Sequence, residues 1–95
     1  MAGSEYFLTI HPEAEKQGVR INRNKYNLMR EAILENLRLS GPTAFAQLGD
    51  LVEDQLQKNF GGSVMWYYTT VKLDLEARGE IRRVPGSKPQ LIEIV

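Results

Sequence analysis

The segment "SVMWYYTTVKLDLEARGEIRRVPGSKPQLIEIV", residues 63–95, constrains the fold more than any other. Its first half has the period of a helix. Val64, Tyr68, Val71 and Leu75 fall at i, i+4, i+7 and i+11, within about 60° of one another at 100° per residue. Ser63 is an N-cap type and Gly79 is a natural left-handed stop. "EIRRV", "PGSKP" and "QLIEIV" then read as strand, turn and strand, with Pro85 and Pro89 confining the strands and Gly86 and Ser87 making the turn. A helix whose apolar stripe is followed at once by a hairpin must lay that stripe on other helices, and the rest of the chain supplies two.

The first is expected from about Asn24 to Leu39. Asn22 and Asn24 are N-cap types, Tyr26, Met29, Ile33 and Leu37 give the stripe, and Gly41 with Pro42 ends it. The second is expected from about Ala44 to Lys58, with Thr43 as its cap and Phe45, Leu48, Val52 and Leu56 facing inward. Phe60, in the turn "NFGG", is expected to plug the core. Before the helices, Tyr6, Leu8 and Ile10 alternate with Phe7 and Thr9 as in a short strand, and residues 19–21 form a second extended piece. The chain therefore divides into an N-terminal extended arm, residues 1–21, and a body, residues 22–95. The fold class is mainly α with a C-terminal β-hairpin, an α+β architecture with an added N-terminal strand.

Composition limits function more by exclusion. Ninety-five residues make one domain with a modest core. The chain has no cysteine and one histidine, so a transition-metal site is not expected, and His11 before Pro12 is expected in an exposed loop. No run approaches the roughly 20 apolar residues of a membrane span, and "MAGSEYFLTI" lacks a basic n-region, which fits a cytoplasmic protein. No nucleotide or nucleophile motif is present. Glu53, Asp54, Asp74 and Glu76 are expected on solvated helical faces. No catalytic residue, cofactor or small-molecule ligand is expected, and the chain is read as a non-enzyme.

Twelve basic residues balance twelve acidic ones, without the net positive charge usual for a phosphate-dominated nucleic-acid binder. The distribution is uneven. Residues 78–88 hold Arg78, Arg82, Arg83 and Lys88 against Glu80 alone, and residues 16–25 hold Lys16, Arg20, Arg23 and Lys25 with no acid.

Leu75, Gly79, Ile81 and Arg83 carry a resemblance. A leucine four residues before a helix-ending glycine, then an apolar strand residue and an arginine, resembles the end of a winged helix-turn-helix domain, and residues 22–95 fit that layout of three helices plus wing. More narrowly, "IHPEAEKQGVRINRNKYNLMREAIL" with "WYYTTVKLDLEARGEI" is similar to a small family of uncharacterised bacterial winged-helix proteins. For DNA-binding members the resemblance implies the third helix in the major groove and the wing on the backbone. Here that means Ser63, Trp66, Tyr67, Thr69, Thr70 and Lys72 near the groove, and Arg82, Arg83, Ser87 and Lys88 at phosphates. Other members are protein-interaction modules, and fold alone does not choose. The function expected first is that of a small bacterial DNA-binding or transcription-associated protein, and the alternative is a protein-interaction or homodimerisation module without nucleic-acid binding.

The third helix carries a second stripe, Trp66, Thr70, Leu73 and Ala77, opposite the first. Base edges are read by hydrogen bonds, whereas this stripe offers an indole, a leucine and an alanine. Three readings stand: burial of its C-terminal half under the arm or the wing, a protein or homodimer interface anchored on Trp66, and stacking on nucleic acid. The candidate partners are DNA and a second copy of the chain. For the wing, the counter-reading is a solvated hairpin with Glu93 paired to an arginine across the ladder.

Overall fold

The computed structural model describes residues 5–58 and 60–95. In chain order the elements are β1 (Tyr6–Leu8), β2 (Arg20–Asn22), α1 (Arg23–Ser40), β3 (Thr43–Ala44), α2 (Phe45–Leu56), α3 (Val64–Ala77), β4 (Ile81–Arg83) and β5 (Leu91–Ile94). The fold is α+β, three helices with two small antiparallel sheets. Residues 1–4 of the arm lie outside the described residues.

The helix ends follow their capping chemistry. The Asn22 side chain accepts from the Lys25 backbone N–H at 3.0 Å, and Ser63 Oγ accepts from the Trp66 N–H at 3.1 Å, each satisfying a donor that the first turn leaves free. α3 ends in a Schellman motif. The Glu80 N–H donates to the Leu75 carbonyl at 3.0 Å and the Gly79 N–H to Glu76 at 3.1 Å. That motif needs a left-handed residue, and Gly79 has φ +77°. The turn reverses the chain into β4 and fixes the hairpin against the helix it follows.

The stripes of α1 and α3 are buried where the spacing places them, and that of α2 is buried at Leu48 and Val52 and half-buried at Phe45 and Leu56. Met29, Ile33, Leu48, Val52, Tyr68, Val71 and Leu75 have no solvent exposure, and Phe60 closes one end of the core from its turn. α2 and α3 approach closely at Gly49, where a Cβ would lie 2.9 Å from the Tyr68 ring. Tyr68 crosses this contact and donates its hydroxyl to the Phe45 carbonyl at 2.7 Å, so the largest buried side chain is also satisfied.

β5 is the central strand of a three-stranded sheet ordered β3–β5–β4, and it contributes Ile92 to the core while β4 contributes Ile81. β3 corrects one expectation. Thr43 does not cap α2. It pairs with Ile92 and donates its hydroxyl to the Gly41 carbonyl at 2.8 Å, while Ala44 precedes the helix without a side-chain cap. A two-residue strand has no periodicity to read, and only the arrival of β5 makes it one. The arm forms the second sheet. β1 pairs with β2 in the register Phe7–Ile21, turning both side chains inward, where the Phe7 ring stacks on Tyr26 at 4.1 Å.

Candidate functional site

α3 has three environments around its axis. The core stripe is buried. On one flank, Lys72 and Glu76 face α2 and the β4–β5 hairpin. On the outward side lie Trp66, Thr70, Leu73 and Ala77, and this stripe is divided in two. Its N-terminal end is open: Trp66 is 49% exposed and Met65 beside it 37%. The indole rests edge-on against Tyr67, which in turn meets Phe60 edge-on, both at 5.0 Å between centroids. The C-terminal end is covered by the arm. Thr9 to His11 and Gln17 to Val19 lie over Thr70 and Leu73, leaving a cleft of about 90 Å³ between them.

The arm is held there by one buried carboxylate. Asp74, with no solvent exposure, accepts from the Ile10 backbone N–H at 2.9 Å, from the Tyr26 hydroxyl, and from Arg78 Nε at 2.9 and 3.0 Å. Arg78 also donates to the Leu8 carbonyl at 3.4 Å and places its guanidinium 5.0 Å from the Phe7 ring. The outer edge of β1 is therefore met by Arg78, the residue that caps the end of α3. The expectation of a solvated Asp74 is overturned, and so is that for Glu76, whose side chain is only 11% exposed. An aspartate between Leu73 and Leu75 looks like an ordinary polar position of a helix. Its i, i+4 relation to Arg78 was the one local hint. The arm that buries it is more than sixty residues away in sequence.

Burial, then the hydrogen bond and charge of Asp74, push the Tyr26 phenol well above its ordinary value of 10.0. Burial, then the charge of Asp50, does the same for Tyr68. Each folded-state pKa is raised, so the stabilisation is full below the unfolded value and is lost as pH rises above it. Stability should fall as pH climbs above about 10. Phenolate absorbance near 295 nm should show two of the tyrosines ionising only together with unfolding. If all ionise while the near-ultraviolet circular dichroism is still native, these two phenols are not held as described.

The remaining sequence-predicted residues are scattered in role. Lys72 is a correction: it is buried, donates to Glu76 at 3.1 Å and lies 5.3 Å from the centre of the Phe45 ring, so it is not at an outward surface. Tyr67 is half-buried under the Lys25 ammonium. Thr69 is exposed and Thr70 half-buried. Ser63 is engaged as the α3 cap. In the β4–β5 hairpin, Arg82 meets Glu93 at 2.7 Å directly across the ladder, and Arg83 meets Glu76 at 2.9 Å. Ser87 folds back to donate to the Val84 carbonyl and accept from the Leu91 N–H, at 2.8 and 2.9 Å, which closes the turn. Lys88 is exposed, with no ion pair among the described residues.

His11, expected in an exposed loop, and Gln17, not singled out from sequence, also reach the outward side. His11 is half-buried rather than exposed, its Nδ1 accepting from the Glu13 N–H at 3.1 Å, and it lines the cleft with Gln17. No local pattern marks them, because the loop that carries them acquires its meaning only on docking. Gly18 is essential to that docking, since a Cβ there would sit 1.6 Å from the Thr9 carbonyl oxygen. Among the described residues no acidic or histidine cluster could hold a metal ion, and no helix is long and apolar enough to cross a membrane.

The model of a family described as a family of unknown function, DUF6958, matches residues 7–92, from the middle of β1 to β5. No curated protein and no solved structure matches the chain.

Proposed function

We propose, for a chain that belongs to the DUF6958 family of unknown function, that it is a winged helix-turn-helix domain working as a protein-interaction module. The winged-helix assignment is supported by the order of elements: three helices, a short strand between the first two, and a hairpin whose second strand lies between that strand and β4. The observation that carries the function is the chemistry of the outward side of α3. It shows Trp66 and Met65 to solvent, while the lysine of that helix is buried and paired. Tryptophan is a favoured interface anchor because it buries a large, rigid area at small entropic cost. The arm occupies the C-terminal half of the same side, so a groove-reading α3 would have to meet DNA with an indole and two threonines.

Trp66 is the only tryptophan, so its emission reports on this surface directly. Free protein should show a solvent-accessible indole, readily quenched by iodide. Titration with duplex DNA at low salt should leave emission and anisotropy unchanged. Partner binding or self-association through this face should shift the emission to the blue, and Trp66→Ala should weaken that association by about tenfold or more. Duplex binding that quenches Trp66 would sink this reading.

A second reading, DNA binding through the wing, is favoured by one observation. The side chains of Arg82 and Arg83 are 60% and 59% exposed, against 23% and 11% for their partners Glu93 and Glu76, so each guanidinium has a solvent side on which to meet a phosphate. On that reading duplex affinity falls steeply with salt, and replacing Arg82, Arg83 and Lys88 by alanine together lowers the slope of log K against log salt by about 3. An unchanged slope in the triple variant removes the wing from any such contact.

A further inference from the structure

We propose that the cleft between the arm and α3 is a pocket for one aliphatic side chain of a partner polypeptide. This rests on the reading of α3 as an interaction surface and names what that surface takes. Ile10 and Val19 from the arm and Leu73 from α3 make apolar walls, with His11, Gln17 and Thr70 among the lining residues. An apolar cavity of about 150 Å³ admits benzene, so 90 Å³ suits a branched side chain of about four carbons, that of valine, leucine or isoleucine.

The polar lining fits the rest of the occupant. Among the described residues the Gln17 amide and the Thr70 hydroxyl have no hydrogen-bond partner, and His11 is engaged through Nδ1. An aliphatic side chain carried on a peptide brings an N–H and a carbonyl to the mouth of the pocket, and these groups can bond both. A free ligand this small has too few atoms in contact to bind tightly. The pocket therefore works as one anchor point in a larger contact, and the exposed Trp66, one turn along α3 from Thr70, supplies the adjoining surface. Tryptophan is enriched among the residues that carry most of the energy of an interface, so Trp66 supplies the stronger part of that contact.

The probe is N-acetyl-leucine methylamide, followed by two-dimensional ¹H–¹⁵N spectra of the full chain. Saturable shifts are expected at the amides of residues 10, 11, 17–19, 70 and 73. The alanine analogue should bind about tenfold more weakly or worse, since each missing methylene removes apolar contact. Leu73→Phe and, from the opposite wall, Val19→Phe should each fill the cleft and abolish the response, the spectra themselves showing that the fold is retained. No saturable response, or one equal for leucine and alanine probes, overturns the proposal. So does isobutyrate binding as tightly as the capped leucine, which makes the occupant a free small molecule. Concentration-dependent shifts at these amides without any probe also overturn it, in favour of a second copy of the chain. Duplex DNA in the same spectra separates the two failures. Duplex-induced shifts at Trp66 and the wing overturn the interaction reading itself, whereas a silent cleft with no duplex response overturns the pocket alone.

Discussion

Asp74→Ala is expected to lower the free energy of unfolding by about 3 kcal/mol, a large share of the roughly 5–15 kcal/mol that holds a small domain together. The carboxylate is fully buried and is the acceptor for a backbone N–H from the arm, a phenol from α1 and a guanidinium from its own helix. Removing it leaves the Ile10 N–H and the Tyr26 hydroxyl buried without a partner, and each costs its full desolvation. The value stays near the lower end for breaking a buried pair because the Arg78 side chain is 34% exposed and recovers hydration. Asp74→Asn keeps an acceptor for the two neutral donors and should cost less, about 1–2 kcal/mol. Urea unfolding of the three proteins is the measurement. Losses under 0.5 kcal/mol for both variants would mean that the network holds nothing.

Gly18→Ala attacks the arm from its other end and should cost about 3 kcal/mol, the upper range for overpacking. The Cβ would meet the Thr9 carbonyl oxygen at 1.6 Å and its carbon at 2.3 Å, both backbone atoms that cannot rotate away. Thr9 cannot yield either. Its N–H donates to the Val19 carbonyl at 2.8 Å, and its hydroxyl donates to that carbonyl at 3.0 Å while accepting from the Val19 N–H at 2.9 Å. The two strands must separate at that rung. Hydrogen exchange should then show protection lost across residues 6–22 and retained in α1, α2 and α3. Uniform loss of protection would show instead that arm and body unfold as one unit. Native exchange at residues 6–22 would show that the close approach is not real.

Most of the body was readable one residue at a time. Tyr26, Met29, Ile33 and Leu37 on α1, and Val64, Tyr68, Val71 and Leu75 on α3, lie inward because apolar residues at helical spacing have one economical arrangement. Asn22, Ser63 and Gly79 mark helix ends because caps are local chemistry. The outward side of α3 was legible only in part. Its second stripe was visible, and Trp66 stands out of the protein as a large exposed indole. That Leu73 lies under the arm while Trp66 does not depends on where a loop about fifty residues upstream comes to rest. Lys72 and Asp74 show the same limit from the other side. Both look like solvated helical residues, and both are buried by segments that arrive from elsewhere, Lys72 beside Phe45 of α2 and Asp74 beneath Ile10 and Tyr26.

By itself, the sequence determined which segments are helical, where α1 and α3 stop, which stripe of each helix turns inward, and that a hairpin follows α3 without a spacer. Those properties are short-ranged, set by backbone preference, capping and the period of apolar residues within one or two turns. The tertiary structure alone decided that Thr43 and Ala44 become a strand, that Arg83 of the hairpin is answered by Glu76, and that Asp74 fastens the arm across half of the outward side of α3. Each of these is a meeting of polar groups far apart in the chain. A hydrogen bond or ion pair is satisfied equally well by water until packing removes the water, and nothing in the local sequence records which partner replaces it.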